Sequence, residues 1–139
     1  MKIYLFLLIT ALTHTIHAQI NWESPRINDP FILNSDTITF VLLTADWCQY
    51  CALQKKKLKK VQIDNYRFIE LNAYKKQSII WKSNVYNANS DIYSPHTIIT
   101  ALTHSENLIL PTWVVLSTTQ EVIRVYEGVL DSEFFLCLP

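Results

Sequence analysis

Apolar residues fall along this chain in short runs separated by polar turns, and each run has its own character. Ile38-Thr39-Phe40-Val41-Leu42-Leu43-Thr44 is β-branched and almost wholly apolar. That is the pattern of a strand buried on both faces. From Cys48 to about Lys60 there is no glycine or proline, and good helix formers dominate, so a helix follows the strand. Tyr66 to Asn72 reads as a second strand. Ile79-Ile80-Trp81 and Asn84-Val85-Tyr86, separated by Lys82-Ser83, read as a small hairpin. Ser94-Pro95 carries a helix start signal, a serine cap and a proline in the first turn. The helix is expected to run through Ile98, Ile99 and Leu102 to about Ser105. Leu108 to Pro111 leads into a strand over Thr112 to Leu116. A turn at Ser117 to Gln120 and a partner strand over Val122 to Tyr126 follow. A short final helix is expected over Ser132 to Leu138. Ile20 to Asn34 contains Pro25 and Pro30 and is expected to be loop with at most one helical turn. The order of strand, helix, strand, insert, hairpin and helix is an α/β layer pattern.

The N-terminus is different in kind. Met1-Lys2 precedes the apolar run Ile3 to Leu12, and a polar stretch then leads to Ala18-Gln19. A basic start, an apolar centre and a small residue at the end make a secretory signal. Cleavage is expected after Ala18, leaving residues 19–139 as one domain. An apolar run of about ten residues is half of what a spanning helix needs, so an uncleaved N-terminal anchor is the lesser alternative. No cysteine follows the run, which argues against a lipid-anchored form.

Composition narrows the chemistry. The chain has 12 basic and 12 acidic residues, and removing Lys2 with the signal leaves a net charge of −1. Nothing in that balance points to nucleic acid. A single glycine, Gly128, excludes glycine-rich phosphate loops. The three cysteines are Cys48, Cys51 and Cys137. In an oxidising compartment an odd count leaves one thiol over. Cys137 is expected to be that one, a buried helical thiol near the C-terminus.

The pair Cys48 and Cys51 sits where the strand gives way to the helix. Free N–H groups and the macrodipole at a helix start favour an anion and lower a thiol's pKa. Cys51 lies one turn deeper on the same side and is expected to be more buried. That asymmetry suits thiol–disulfide exchange. Two other readings stand beside it. A metal site needs further ligands, and the only histidines after the signal are His96 and His104, eight apart on the expected helix. No metal is expected. A purely structural bridge over three residues would close a very small loop and constrain the unfolded chain little. The lysines at 55, 56, 57, 59 and 60 read as a solvated outer face.

Ala45-Asp46-Trp47-Cys48-Gln49-Tyr50-Cys51 after an apolar strand, Ile69-Glu70-Leu71-Asn72, Leu110-Pro111-Thr112 entering a strand, and Gly128 after the last strand together resemble the thioredoxin family. The resemblance is to exported thioredoxin-like proteins of the bacterial envelope and spans roughly residues 36–138. It implies a thioredoxin-like fold, a central mixed sheet flanked by helices, with a hairpin-plus-helix insertion before the cis-proline loop. It implies a protein disulfide oxidoreductase with no separate cofactor. Its partners would be protein thiols and disulfides and an unidentified membrane redox protein, and its place the periplasm. Cys48 would be the nucleophile and Cys51 the resolving thiol, joined as the redox disulfide when oxidised. Trp47 would border the site. Pro111 would be cis and lie against the disulfide, with Leu110 and Thr112 beside it and the Leu110 backbone pairing with a substrate segment. Three departures stand out. Leu42 occupies the position, six residues before the first cysteine, where the family often buries a carboxylate. Gln49-Tyr50 replaces the family's usual Gly-Pro. The insertion carries Trp81 and Tyr86, which are expected to pack onto its helix rather than to face a substrate. A thioredoxin-fold adaptor that has lost its chemistry is the competing reading.

Overall fold

Strands rich in β-branched and aromatic residues need a neighbour on each edge and cover on each face, and the chain supplies both. The computed structural model describes residues 19–26 and 29–137. The expected signal segment 1–18 and the last residue of the expected final helix, Leu138, lie outside them. In chain order the elements are β1 (Trp22–Glu23), β2 (Phe31–Ile32), β3 (Thr39–Thr44), α1 (Gln49–Leu58), β4 (Arg67–Asn72), β5 (Ile79–Trp81), β6 (Asn84–Tyr86), α2 (Ile98–Thr103), β7 (Thr112–Leu116), β8 (Val122–Glu127) and α3 (Ser132–Leu136). The main sheet has the order β1-β4-β3-β7-β8. β3 runs parallel to β4 and antiparallel to β7, and β8 pairs antiparallel with β7. Among the described residues no helix is long and apolar enough to cross a membrane.

Strand β3 is buried along its whole length because both faces of the sheet are covered. Alternate side chains go to opposite sides. Val41 and Leu43 join Ile69, Leu71, Val114 and Leu116, over which Ile98, Ile99 and Leu102 of α2 are laid. Phe40 and Leu42 join Phe68, Trp113 and Val115, under Leu58 of α1 and Phe135 of α3. The second layer is aromatic. Phe40 stacks on Phe68 at 5.3 Å between centroids, and Phe135 lies 5.1 Å from Trp113.

Among the described residues of 20–34 two short strands form where loop was expected. β1 pairs in parallel with β4, Trp22 opposite Phe68, and β2 pairs in parallel with β5. The hairpin is thereby extended to a three-stranded sheet, β2-β5-β6. Two-residue strands close to prolines leave no periodic trace, and a distant side chain fixes them. The Arg67 guanidinium donates to both Glu23 carboxylate oxygens at 2.9 and 2.7 Å. It also donates to the carbonyls of Ile32, Leu33 and Asn34.

The β5–β6 hairpin forms as expected, with both turn residues in the left-handed region, Lys82 at φ 50° and Ser83 at φ 64°. This turn geometry suits glycine at its second position. A left-handed non-glycine residue costs about 1–2 kcal/mol, while glycine costs about 0.5–1 kcal/mol in unfolded-chain entropy. Ser83→Gly is therefore expected to stabilise the chain by about 0.5–1 kcal/mol, read as a higher urea midpoint. Trp81 is buried in the core with Ile98 and Ile99, so the insertion's aromatic residues pack inward as expected.

Helix α2 starts later than its sequence signal. Ser94 does not cap it. The Ser94 hydroxyl donates to the Asp91 carboxylate at 2.8 Å, and the same carboxylate accepts the Tyr93 N–H, so the serine closes a preceding turn. The Ile98 N–H is met instead by the His96 ring. His104 ends the helix in the left-handed region, so the two histidines do not share a helical face. At the other end of the chain Cys137 follows α3 as its cap and is exposed rather than buried, because the helix stops one residue before it.

Candidate active site: a disulfide at a helix start

The chain leaves β3 at Thr44 and turns at once. The Ala45 carbonyl accepts the Cys48 N–H at 3.0 Å, and Cys48 becomes the N-cap of α1 in extended conformation. Its sulfur does what a serine oxygen does at an ordinary cap, accepting the Cys51 N–H at 3.1 Å. Cys48 and Cys51 are joined, with Cα atoms 5.3 Å apart. Cys48 is 8% exposed and Cys51 2%. A thiolate released at Cys48 on reduction would face the same N–H and the positive end of the helix. The expected order of outer and inner sulfur is thus present, and with it the geometry for stepwise exchange.

The opposite wall is the loop before β7. Leu110-Pro111 is a cis peptide bond, and Leu110, like Tyr74, packs against the cluster of Ala45, Cys48 and Cys51. The Pro111 carbonyl accepts the Gly128 N–H at 2.7 Å, and Gly128 reaches it with φ 94°, a conformation open to glycine. Thr112 is buried and its hydroxyl donates to the Ile109 carbonyl, so it closes the loop on itself. Trp47 is exposed and its ring rests 5.9 Å from Tyr74. Asn72 at the end of β4 supports both, donating to the Asp46 carboxylate at 2.9 Å and accepting the Tyr74 N–H. The structure brings Leu110 against Cys48 and Cys51, with Pro111 and Thr112 following it in the chain and Trp47 exposed directly before Cys48.

Leu42 is fully buried. A carboxylate does stand opposite it in register, on β4: Glu70 binds Lys55 at 2.9 Å and accepts the Thr44 hydroxyl at 3.3 Å. Gln54, one turn below Cys51, is the other polar group missed by sequence reasoning. Its amide oxygen accepts the Leu130 N–H at 2.6 Å and the Trp113 indole N–H at 3.3 Å, and its amide nitrogen donates to the Leu130 carbonyl at 3.0 Å. It ties the cysteine helix to the strand that follows Pro111. Its helix position beside Cys51 was the one available signal. Gln54→Leu leaves two buried donors unpaired at about 1–3 kcal/mol each. Allowing for the apolar gain, a loss of about 3 kcal/mol is expected in equilibrium unfolding.

His96 holds the insertion. Its Nε2 lies 2.7 Å from the Gln77 carbonyl and its Nδ1 accepts the Ile98 N–H, so the ring is the neutral Nε2–H tautomer. Burial holds its pKa below the ordinary histidine value, partly opposed by the bond to Gln77. A depressed pKa means the unfolded chain binds the proton first. Stability is expected to be complete above the unfolded value of about 6.5. It then declines as pH falls from there toward the folded value. Denaturant titrations across that window check this, and His96→Gln should flatten the dependence.

No protein-family model matches the chain, and no curated protein matches its sequence. Similarity appears at the level of structure. Thioredoxin-2 of a malaria parasite, described as a component of its protein secretion machinery, superposes with a TM-score of 0.50. The match has 16% identity over 81% of this chain and 93% of that one. A thioredoxin-fold protein from Helicobacter pylori gives a TM-score of 0.50 and 19% identity, covering 79% of this chain and 71% of that one. The chain has a thioredoxin-like α/β fold, with the additional small sheet as an insertion.

Proposed function

We propose that this chain is an exported thiol–disulfide oxidoreductase acting on protein substrates, with Cys48 as nucleophile and Cys51 as resolving thiol. The observation that carries the reading is the Cys48–Cys51 disulfide at the start of α1, beside the cis bond at Pro111. In the reducing direction, the Cys48 thiolate attacks a substrate disulfide and one substrate sulfur leaves as thiolate. Cys51, deprotonated, then attacks the Cys48 sulfur and expels the second substrate thiolate. The substrate gains two electrons and the Cys48–Cys51 pair loses them. Water accepts the proton of Cys51 in place of a buried carboxylate at Leu42. A membrane redox protein of the envelope returns the electrons. An oxidising compartment needs a dedicated source of reducing equivalents, which favours this direction.

The reduced protein is expected to reduce insulin disulfides well above the rate with dithiothreitol alone. A second reading, a thioredoxin-fold adaptor without chemistry, draws on the apolar Leu42. No acceleration of insulin reduction, together with no mixed-disulfide capture by Cys51→Ser, would establish that reading instead.

A further inference from the structure

The outward face of α1 is not an ordinary solvated surface. Tyr50 is 67% exposed and Leu53 43%, and at 100° per residue they share a strip that continues to Lys56 and Lys57. Trp47, 69% exposed, stands at the head of the strip beside the disulfide. Large apolar groups thus lead away from the reactive sulfur and end in positive charge. Residues 48–60 contain no aspartate or glutamate. Lys55 is neutralised by Glu70 and Lys57 by Asp131. Lys56, Lys59 and Lys60 are exposed, and among the described residues they make no ion pair.

We propose that this strip is a docking track for the substrate polypeptide, which carries apolar residues next to its cysteine and acidic residues farther along. The inference rests on the oxidoreductase reading and adds the chemistry of its substrate. Charge complementarity selects the partner: Lys56 and Lys60, the unpaired lysines on the side of Leu53, favour a segment of carboxylates, and the aromatic head favours apolar neighbours of the reacting sulfur. At about 1.5 Å per helical residue, Lys56 lies roughly 12 Å along the axis from Cys48. An extended chain covers that in about four residues. The acidic residues therefore belong about three to six positions from the substrate cysteine. An anionic membrane offers similar chemistry, but lying on it would cover Trp47 and the mouth of the disulfide.

The test uses two peptides, each with one cysteine flanked by Phe and Leu and disulfide-linked to thionitrobenzoate. One carries glutamates three to six residues beyond the cysteine, the other glutamines. Cys48 attacks the peptide sulfur and expels thionitrobenzoate, and Cys51 then releases the peptide thiol. The glutamate peptide is expected to react on the order of tenfold faster at low salt, with the advantage fading as salt rises. Lys56→Glu combined with Lys60→Glu is expected to reverse the preference, while the rate with the uncharged hydroxyethyl disulfide stays the same. Equal rates for the two peptides with the original chain would overturn the docking track, and hydroxyethyl disulfide reduction would leave the oxidoreductase reading standing. Failure with every disulfide would remove both. Lysine-dependent binding to phosphatidylglycerol vesicles, with no difference between the peptides, would assign the strip to a membrane instead.

Discussion

Cys48→Ser is expected to lower the rate of disulfide reduction by on the order of a thousandfold or more, to that of the reaction without protein. A serine hydroxyl at the cap accepts the Cys51 N–H as the sulfur does, so the helix start is retained. It cannot form the mixed disulfide, and Cys51 at 2% exposure is too deep to replace the outer nucleophile. Cys51→Ser behaves differently. Attack by Cys48 survives, but nothing beneath it expels the substrate, so the reaction is expected to stop after one turnover as a covalent adduct. Both variants should fold. A bridge between residues three apart contributes only about 2 kcal/mol by loop-closure entropy. Stopped-flow kinetics and mass spectrometry of trapped adducts read the two outcomes. Equal losses of the first step in the two variants would contradict the assignment of outer and inner sulfur.

Leu42, six residues before Cys48, predicts an effect of a different kind. Leu42→Asp is expected to destabilise the chain by about 4 kcal/mol or more, against about 3 kcal/mol for Leu42→Ala. The alanine variant loses burial among Phe40, Leu58, Phe68 and Trp113. The aspartate variant loses the same burial and also places a charge in an apolar layer. Glu70 stands opposite in register and already engages Lys55, so the new carboxylate faces a like charge across the strands. The excess over alanine should shrink in acid, where the carboxyl group is protonated. Urea unfolding of both variants at neutral and acid pH checks this. An aspartate variant as stable as the alanine variant at neutral pH would show that this apolar layer accommodates a carboxylate.

Much of this architecture was readable in the chain because it is written locally. The run from Ile38 to Thr44 announces a strand covered on both sides, and the spacing of Cys48 and Cys51 announces two sulfurs on one side of a helix. Leu110-Pro111-Thr112 announces the facing loop through its likeness to thioredoxins. The unread parts rest on contacts between distant residues. β1 and β2 are two residues long and are held by Arg67, 44 residues from Glu23. Gln54 meets Leu130 across 76 residues. α2 begins late because Asp91 competes for Ser94 and the His96 ring supplies the cap, a choice that local propensity does not reveal. Cys137 is exposed because α3 ends just before it.

The most direct measurement is the ionisation of the outer sulfur. In a Cys51→Ala, Cys137→Ala chain, thiolate absorbance reports Cys48 alone. A titration midpoint clearly below that of a free cysteine is predicted, because the Cys51-position N–H and the helix start both favour the anion. A midpoint at or above the free value would contradict the account.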